Sequence, residues 1–381
     1  MTRTNERQGC HDSPAKRFSL THHRARGHKK RWVSAAGLAM LSLVATACHS
    51  GSSGGSSASA AAGTDYFHGK TITYIVAGAP GGASAIQIVA MQPVLEKYLG
   101  ATVKIEYVQG SNTIGQDEVA QAKPDGLTVG TFYSASDLSA TFLKTTKVNF
   151  SLKDVTFIGS THQVPGLEVA CKGSPYKSAQ QLLASKASVS ILNVPNSSIS
   201  LFQHLLMTAY PVSHTYINGY VSATQIVGCQ RGDGQTANNA VGSLTDAAGT
   251  AMLPGVTPLF TSGPIPSGSP NAFLSNTVPT LAEFAEQHPP TTSLGKEALN
   301  ALIAFFAANT PQYVTFGPAG IPQAQAQMLT KAFQQAMTTA AVEKAFLAAG
   351  IPAGFVAPAT VSNYIDSQLA KEPFYETVLK S

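Results

Sequence analysis

Between Thr71 and Thr131 the chain alternates between two hydrophobic periods. An apolar run from Ile72 to Val76 breaks at Ala79-Pro80-Gly81-Gly82, a helical spacing follows from Ser84 to Leu99, and a second apolar run covers Thr102 to Val108. That run ends in the turn-rich Gly110-Ser111-Asn112-Thr113-Ile114-Gly115. A second helical pattern then leads through Pro124-Asp125-Gly126 to a third run, Leu127 to Phe132. Short apolar runs alternating with helical stretches predict βαβ units and a parallel sheet. In such sheets ligands bind beyond the carboxyl ends of the strands, which is where both glycine-bearing loops fall. The pattern therefore predicts a small-molecule site built largely from backbone groups.

The alternation continues downstream. Val155 to Ser160 predicts a fourth strand, and Leu167 to Ala170 a run that crosses into a second lobe. Ser178 to Ser185 reads as a helix with Ser178 as its N-cap, and Val189 to Leu192 as a strand. The spacing of Ile199, Phe202, Leu205, Leu206 and Ala209 marks a helix. Its amino end lies on the loop Asn193 to Ser198, where free N–H groups and a positive dipole end suit a carboxylate. A strand at Thr215 to Ile217, a helix from Ser222 to Gln230 and a short strand at Thr236 to Val241 follow. Leu253 to Pro270, rich in Pro, Gly and Ser, predicts a long loop. After a helix to Gln287 and the apolar stretch Leu299 to Ala307, Tyr313 to Phe316 crosses back to the first lobe. The remainder predicts helices at Pro322 to Thr339, Val342 to Ala348 and Pro358 to Leu379. There is no internal repeat and no heptad. The lobes divide as 64–168 with 313–381, and 169–312.

The amino terminus reads as a targeting segment, 1–47, with a basic region at Arg24 to Arg31 and an apolar one at Val33 to Ala47. Leu43-Val44-Ala45-Thr46-Ala47-Cys48 looks like a lipoprotein signal peptidase site with Cys48 as the lipidated residue; the alternative is an ordinary secretory signal cleaved near Ala47. The apolar run is shorter than the roughly 20 residues that span a bilayer. Residues 48–63, mostly Ser, Gly and Ala, form a flexible tether. Removing the leader changes the charge: nine of the 25 basic and two of the 20 acidic residues precede Cys48, leaving 16 against 18, a formal −2. The mature chain therefore lacks the basic footprint of a nucleic-acid binder. The 333 residues after Cys48 exceed a single core and predict two α/β domains. Cys171 and Cys229 are an even pair in an exported chain, read as a disulfide or as two free buried thiols.

The order of strand, Pro-Gly-Gly, helix, strand, glycine-rich loop ending Ile114-Gly115, helix and Pro124-Asp125-Gly126 resembles the solute receptors of tripartite tricarboxylate transporters, the TctC or Bug family. Asn149 to Val155, Val278 to Glu283 and Gly317-Pro318-Ala319-Gly320-Ile321-Pro322 resemble later family segments, so the likeness runs from about Tyr66 to Lys380. It implies an α/β fold with two lobes of the periplasmic-binding-protein kind (type II) and a ligand cleft between them. It further implies an extracytoplasmic lipoprotein of the cell membrane, a monomer without cofactor or metal, that hands a small organic anion to integral membrane subunits. The paired loops resemble the family's carboxylate clamp. One departure stands out: where the family has an Asp after Gly-Gly, this chain has Ala85.

The candidate ligand residues are Ala79, Gly81, Gly82 and Ser84 in the first loop, with Ser84 as an N-cap, and Ser111, Asn112 and Thr113 in the second. Ser134 and His162 follow the third and fourth strands. Asn196, Ser197, Ser198, Tyr216, Gly219 and Asn239 would close over the ligand from the second lobe. All are neutral donors or backbone positions, so the predicted clamp holds an anion without a salt bridge. Enzyme chemistry is poorly supported. G-x-G-x-x-G and the Walker loop are absent, and Ile86 spoils a G-x-S-x-G around Ser84. His204 and His214 have no ligand cluster with them, and Arg231-Gly232-Asp233 is a loop tripeptide with a high chance rate. Two rival readings are an orphan receptor acting as sensor or envelope component, and an extracytoplasmic hydrolase using Ser84.

Overall fold

In this computed structural model the described residues are 66–78, 80–108, 112–144 and 149–380. Cys48, the leader 1–47, the tether 48–63, Ala79 and Ser111 lie outside them. Ten strands build two five-stranded sheets. The first contains β1 (Thr71–Ala77), β2 (Thr102–Val108), β3 (Thr128–Tyr133), β4 (Thr156–His162) and β10 (Pro311–Gly317), in the order β2-β1-β3-β10-β4. The second contains β5 (Gly166–Ala170), β6 (Val189–Leu192), β7 (His214–Ile217), β8 (Thr236–Ala240) and β9 (Thr257–Thr261), in the order β7-β6-β8-β5-β9.

The two sheets share one plan. In each, three strands are parallel (β2, β1 and β3; β7, β6 and β8), and the fourth runs antiparallel. That fourth strand is in both cases the one by which the chain arrives from the other lobe: β10 in the first sheet and β5 in the second. The sheets are therefore mixed rather than parallel throughout. Because β4 ends at His162 and β5 begins at Gly166, the chain crosses over residues 163–165. This lies a few residues before the division drawn at 168, and the return begins at Pro311 rather than at 313.

The first lobe is layered. Alternate residues of β1 face opposite cores: Ile72, Tyr74 and Val76 join one cluster and Ile75 the other. Helix α1 (Ala83–Leu99) covers the first face with Ala85, Ile88, Met91, Leu95 and Leu99, a spacing of three and four residues that forms one stripe. It stops at Gly100, whose left-handed φ of 61° suits a residue without Cβ. Helices α9 (Gln323–Met337) and α10 (Ala340–Ala348) pack beside it. Helix α2 (Asn112–Ala120) covers the other face and approaches closely because Gly115 has no side chain. A Cβ there would stand 3.2 Å from Ala77, Ile75 and Val108. Helix α3 (Ser134–Leu143) begins directly where β3 ends.

In the second lobe α4 (Ala179–Leu183) is capped by Ser178, whose side chain accepts from Gln181 N at 3.3 Å. Helix α5 (Ser198–Ala209) covers one face of the sheet and α6 (Ser222–Arg231) the other. Cys171, just after β5, is disulfide-bonded to Cys229 of α6, with Sγ–Sγ 2.05 Å. Helix α7 (Leu281–Gln287) opens with a capping box: Thr280 N donates to Glu283 Oε2 at 2.8 Å, and Glu283 N donates back to Thr280 Oγ1 at 3.2 Å. Helix α8 (Ser293–Phe305) leads to the return strand.

Two expectations are corrected. The stretch 253–270 is not all loop, since β9 lies within it on the sheet edge, where Pro258 is tolerated because an outward-facing position needs no donor. The last expected helix is two, α11 (Pro358–Leu369) and α12 (Glu372–Lys380), broken where Pro373 has no N–H to continue the ladder.

The lobes share a core. Phe142 of α3 stacks on Tyr375 of α12 at 4.6 Å, and Phe305 of α8 meets the same Tyr375 edge-on at 5.7 Å. Tyr364 of α11 donates to the carbonyl of Phe305 at 2.9 Å. One apolar cluster thus runs from Ile75 and Phe132 in the first lobe to Leu201 and Phe202 in the second. Truncating Phe305 to Ala should cost about 3–5 kcal/mol, the range for a fully buried Phe. Guanidinium denaturation of the variant should show one earlier cooperative transition; early loss of one lobe alone would mean that the cores are independent.

Candidate functional site

The site lies at the carboxyl ends of β1 and β3, and at Tyr133 it meets the second lobe. There Ala77, Ala83, Ser84, Gln116, Thr131, Phe132, Tyr133 and Tyr313 line a cavity of about 160 Å³. Helix α1 starts here with Gly82 as N-cap and no side-chain cap, so its first N–H groups have no intrahelical partner. Tyr133 and Tyr313 sit opposite each other in the β3–β10 register and stack at 5.3 Å, forming one wall. Thr131 is held from below by Tyr74, whose hydroxyl also meets Thr315 Oγ1 at 3.0 Å.

A narrower cavity of about 40 Å³ continues from Tyr133 into the second lobe, lined among others by Gln163, Gly166, Ser198, Phe202, Asn238 and Gln312. Ser198, at the start of α5, reaches Tyr133 OH at 3.5 Å and joins the two walls. Gln312 Oε1 accepts from Val164 N at 2.9 Å, tying the return strand to the outgoing crossover. Among the described residues no Lys, Arg, His, Asp or Glu lines either cavity. Ser84 accordingly has no base among the residues of its cavity.

Two carboxyl groups lie behind the walls. Gln116 hydrogen-bonds the carboxylate of Asp137 on α3, which also accepts from Tyr133 N at 3.1 Å; desolvation pushes Asp137 up to about 7. In the second lobe Glu168 is wholly buried under α5 and accepts from Gln203 Nε2 at 2.8 Å. Burial pushes it up to about 8, against the opposing pull of Gln203. Asn238 stands opposite Glu168 in the β5–β8 register, and its Nδ2 is buried without a partner among the described residues.

Of the residues picked from sequence, Ser84 and Ser198 line these cavities, and Asn239 borders the second while its side chain turns to α6. Ser84 lies inside α1 rather than capping it. Gly81, with φ 84°, and Gly82 form the exposed turn before α1. Asn112 begins α2, and Thr113 follows it half-buried. The others are drawn away. Ser134 is buried at the head of α3 and donates to the carbonyl of Pro311 at 2.5 Å. His162 lies on the edge strand beside Gly354, and burial lowers its pKa. Asn196 is an exposed turn residue with φ 57°, and Ser197 is spent capping α5, accepting from Ser200 N at 3.4 Å. Gly219 is exposed. Tyr216 packs between His204 and His214, with ring centroids at 4.6 and 4.8 Å, and burial of His204 lowers its pKa to about 4. Asn239 is committed to α6, its Nδ2 donating to Ser222 Oγ at 2.9 Å and Gln225 Oε1 at 3.0 Å.

Sequence reading passed over Gln116, Tyr133, Tyr313 and Asn238. Strand alternation carries the signal for Asn238: the neighbour of Asn239 must face the other side of the sheet.

No family model matches the chain, and no curated protein matches it in sequence. Among solved structures it is similar to a TctC solute binding protein from Polaromonas without ligand (15% identity, TM-score 0.60), covering 82% of this chain and 98% of that one. It is similar to MatC of Rhodopseudomonas palustris with bound malate (18%, TM-score 0.58), covering 81% and 99%. A second R. palustris protein, with adipate, matches at 17% and TM-score 0.60, covering 82% and 97%. This chain therefore has the two-lobed α/β fold of the TctC/Bug-type periplasmic solute-binding proteins.

The buried Glu168 and the half-buried Asp137 make stability depend on pH. Glu168 keeps its proton in the folded chain at pH values where the unfolded chain has lost it. Its stabilising contribution is complete below the ordinary carboxyl pKa and is lost as pH rises through about 8. Asp137 acts in the same direction up to about 7. The melting temperature should fall between about pH 5 and pH 9, and Glu168→Gln should flatten that fall by roughly 5 °C or more. Calorimetry across this range checks it; a variant whose melting falls as steeply as the parent's rules the assignment out.

Proposed function

We propose that this protein is an extracytoplasmic solute receptor that captures a small carboxylate between its lobes. The observation that carries the reading is the pair of cavities meeting at Tyr133: the uncapped amino end of α1 and Ser84 line one, Ser198 and Asn238 the other, and among the described residues no charged side chain lines either. Such a set suits an anion, because helix N-termini and neutral N–H or O–H donors stabilise negative charge at short range. Solved proteins of this fold holding malate and adipate support the same ligand class. The absence of an acid on the cleft wall matters equally, since a bare carboxylate there would repel the ligand.

Two features complete the proposal. The crossovers at 163–165 and before β10 join the lobes over their shared core, with the Gln312–Val164 bond holding the two passages together. Lipidation of Cys48 and the tether 48–63 hold the receptor at the membrane, where integral subunits of a tripartite transporter accept the ligand.

A thermal-shift screen against di- and tricarboxylates, amino acids and aromatic acids tests the reading, because a ligand that binds only the folded state raises its melting temperature. A carboxylate should stabilise the protein; stabilisation by neutral or cationic solutes alone would overturn the reading. Asn238→Leu keeps the side-chain shape but removes the donor. It should weaken carboxylate binding by about tenfold or more in titration calorimetry, the scale of a hydrogen bond to a charged group.

A further inference from the structure

Gln116 is 2% exposed, and its Oε1 has no hydrogen-bond partner among the described residues. It nevertheless lines the 160 Å³ cavity. Its amide orientation has a physical cause. The amide donates to Asp137, whose ionised carboxylate accepts only, and the carbonyl oxygen takes no part in that bond. The residue is held in place by the close seating of α2 on β1 through Gly115, which sets Gln116 beside the end of β1 at Ala77. The cavity therefore carries one buried acceptor without a partner among the described residues, beside hydroxyls that can donate or accept.

Resting on the carboxylate-receptor reading, the geometry points to Gln116 as the residue that selects the ligand: its Oε1 accepts a hydrogen bond from a hydroxyl on the carbon next to the bound carboxylate, making this a receptor for 2-hydroxy acids. The carboxylate takes the N–H groups of α1, and the adjacent hydroxyl reaches the acceptor beside them. A plain dicarboxylate displaces the water that would otherwise satisfy Oε1 and leaves a buried acceptor unpaired, which is where discrimination between analogues differing by one hydroxyl arises. Asp137 acts as a positioning residue. It touches no ligand but fixes which end of the amide faces the cavity.

Matched pairs test this by titration calorimetry on the full chain: malate against succinate, and 2-hydroxyglutarate against glutarate. The measurement is made at about pH 8.5, above the Asp137 value, so that its carboxylate is ionised. In the wild type each hydroxy acid should bind at least about tenfold tighter than its partner. Gln116→Leu should abolish that preference by weakening the hydroxy acid alone. Asp137→Asn supplies a second route that leaves Gln116 in place. Its amide can donate to Gln116 Oε1 and turn the NH2 towards the cavity, so the preference should vanish or reverse while circular dichroism stays native. Equal binding of both members by the wild type, or a preference that survives both substitutions, overturns the assignment of Gln116 alone. Failure of every acid to bind overturns the receptor reading together with it.

Discussion

The two lobes cannot be separated without opening a single apolar core. Phe142, Phe305 and Tyr375 come from α3, α8 and α12, and their rings meet beneath the cleft. Dispersion and burial at this seam hold the carboxyl ends of both sheets at a fixed separation, since close-packed interiors resist gradual deformation. The crossovers then run over a rigid floor rather than through a loose linker. Helix α12 packs on both α3 and α5, so the last element of the chain closes the seam that the crossing strands begin. Everything in the site depends on this. Tyr133 and Ser198 belong to different lobes, and only a fixed floor brings them within 3.5 Å.

Above that floor the cleft handles charge by indirect means. Its walls present amides, hydroxyls and helix N–H groups, while the acids stand one layer back. Asp137 is reached through Gln116, and Glu168 lies under α5, bonded to Gln203. A carboxylate in direct view of the cavity would oppose an anion. Behind an amide it instead fixes the direction of that amide, and its own desolvation raises its pKa and weakens its field. The amide is thus oriented by the acid and read by the ligand.

Much of the fold was legible in the sequence because local period and tertiary burial agree. The runs Thr102 to Val108 and Val189 to Leu192 match β2 and β6, and the cap at Ser178 is a local hydrogen bond that needs no tertiary context. The second lobe's β9 was hidden, because Pro258 and its Gly- and Ser-rich surroundings read as loop and only its edge position permits it. Site residues were harder for a sharper reason. Asn238 and Asn239 differ by one step along β8, and one step in a strand exchanges the cleft for the opposite face. Composition marks both as polar; only the pairing with Glu168 and the packing of α6 separate them. Ser134 failed differently. A Ser-Ala-Ser stretch after a strand suggests a loop, yet β3 passes straight into α3, and the hydroxyl is used on Pro311. Gln116 offered no signal, because its role comes from the partner its amide meets across two helices.

The departure at Ala85 acquires a physical meaning from the same layering. Ala85 is 1% exposed and packs into the apolar cluster with Ile88 and Phe333. An Asp side chain at this position would point into that cluster rather than the cavity, and its desolvation would require partners that the apolar packing does not provide. With Ala there, α1 has no acidic residue in its first turn, and the partial positive charge of its amino end stays uncancelled at the cavity. The loss of an acid from the turn thus strengthens the field seen by an anion while removing one polar group that could have read its shape. Selection among anions then falls to a buried polar group on the same cavity wall, Gln116 of α2. Sequence departure and orphaned acceptor are two consequences of one arrangement: general attraction at α1, discrimination at α2.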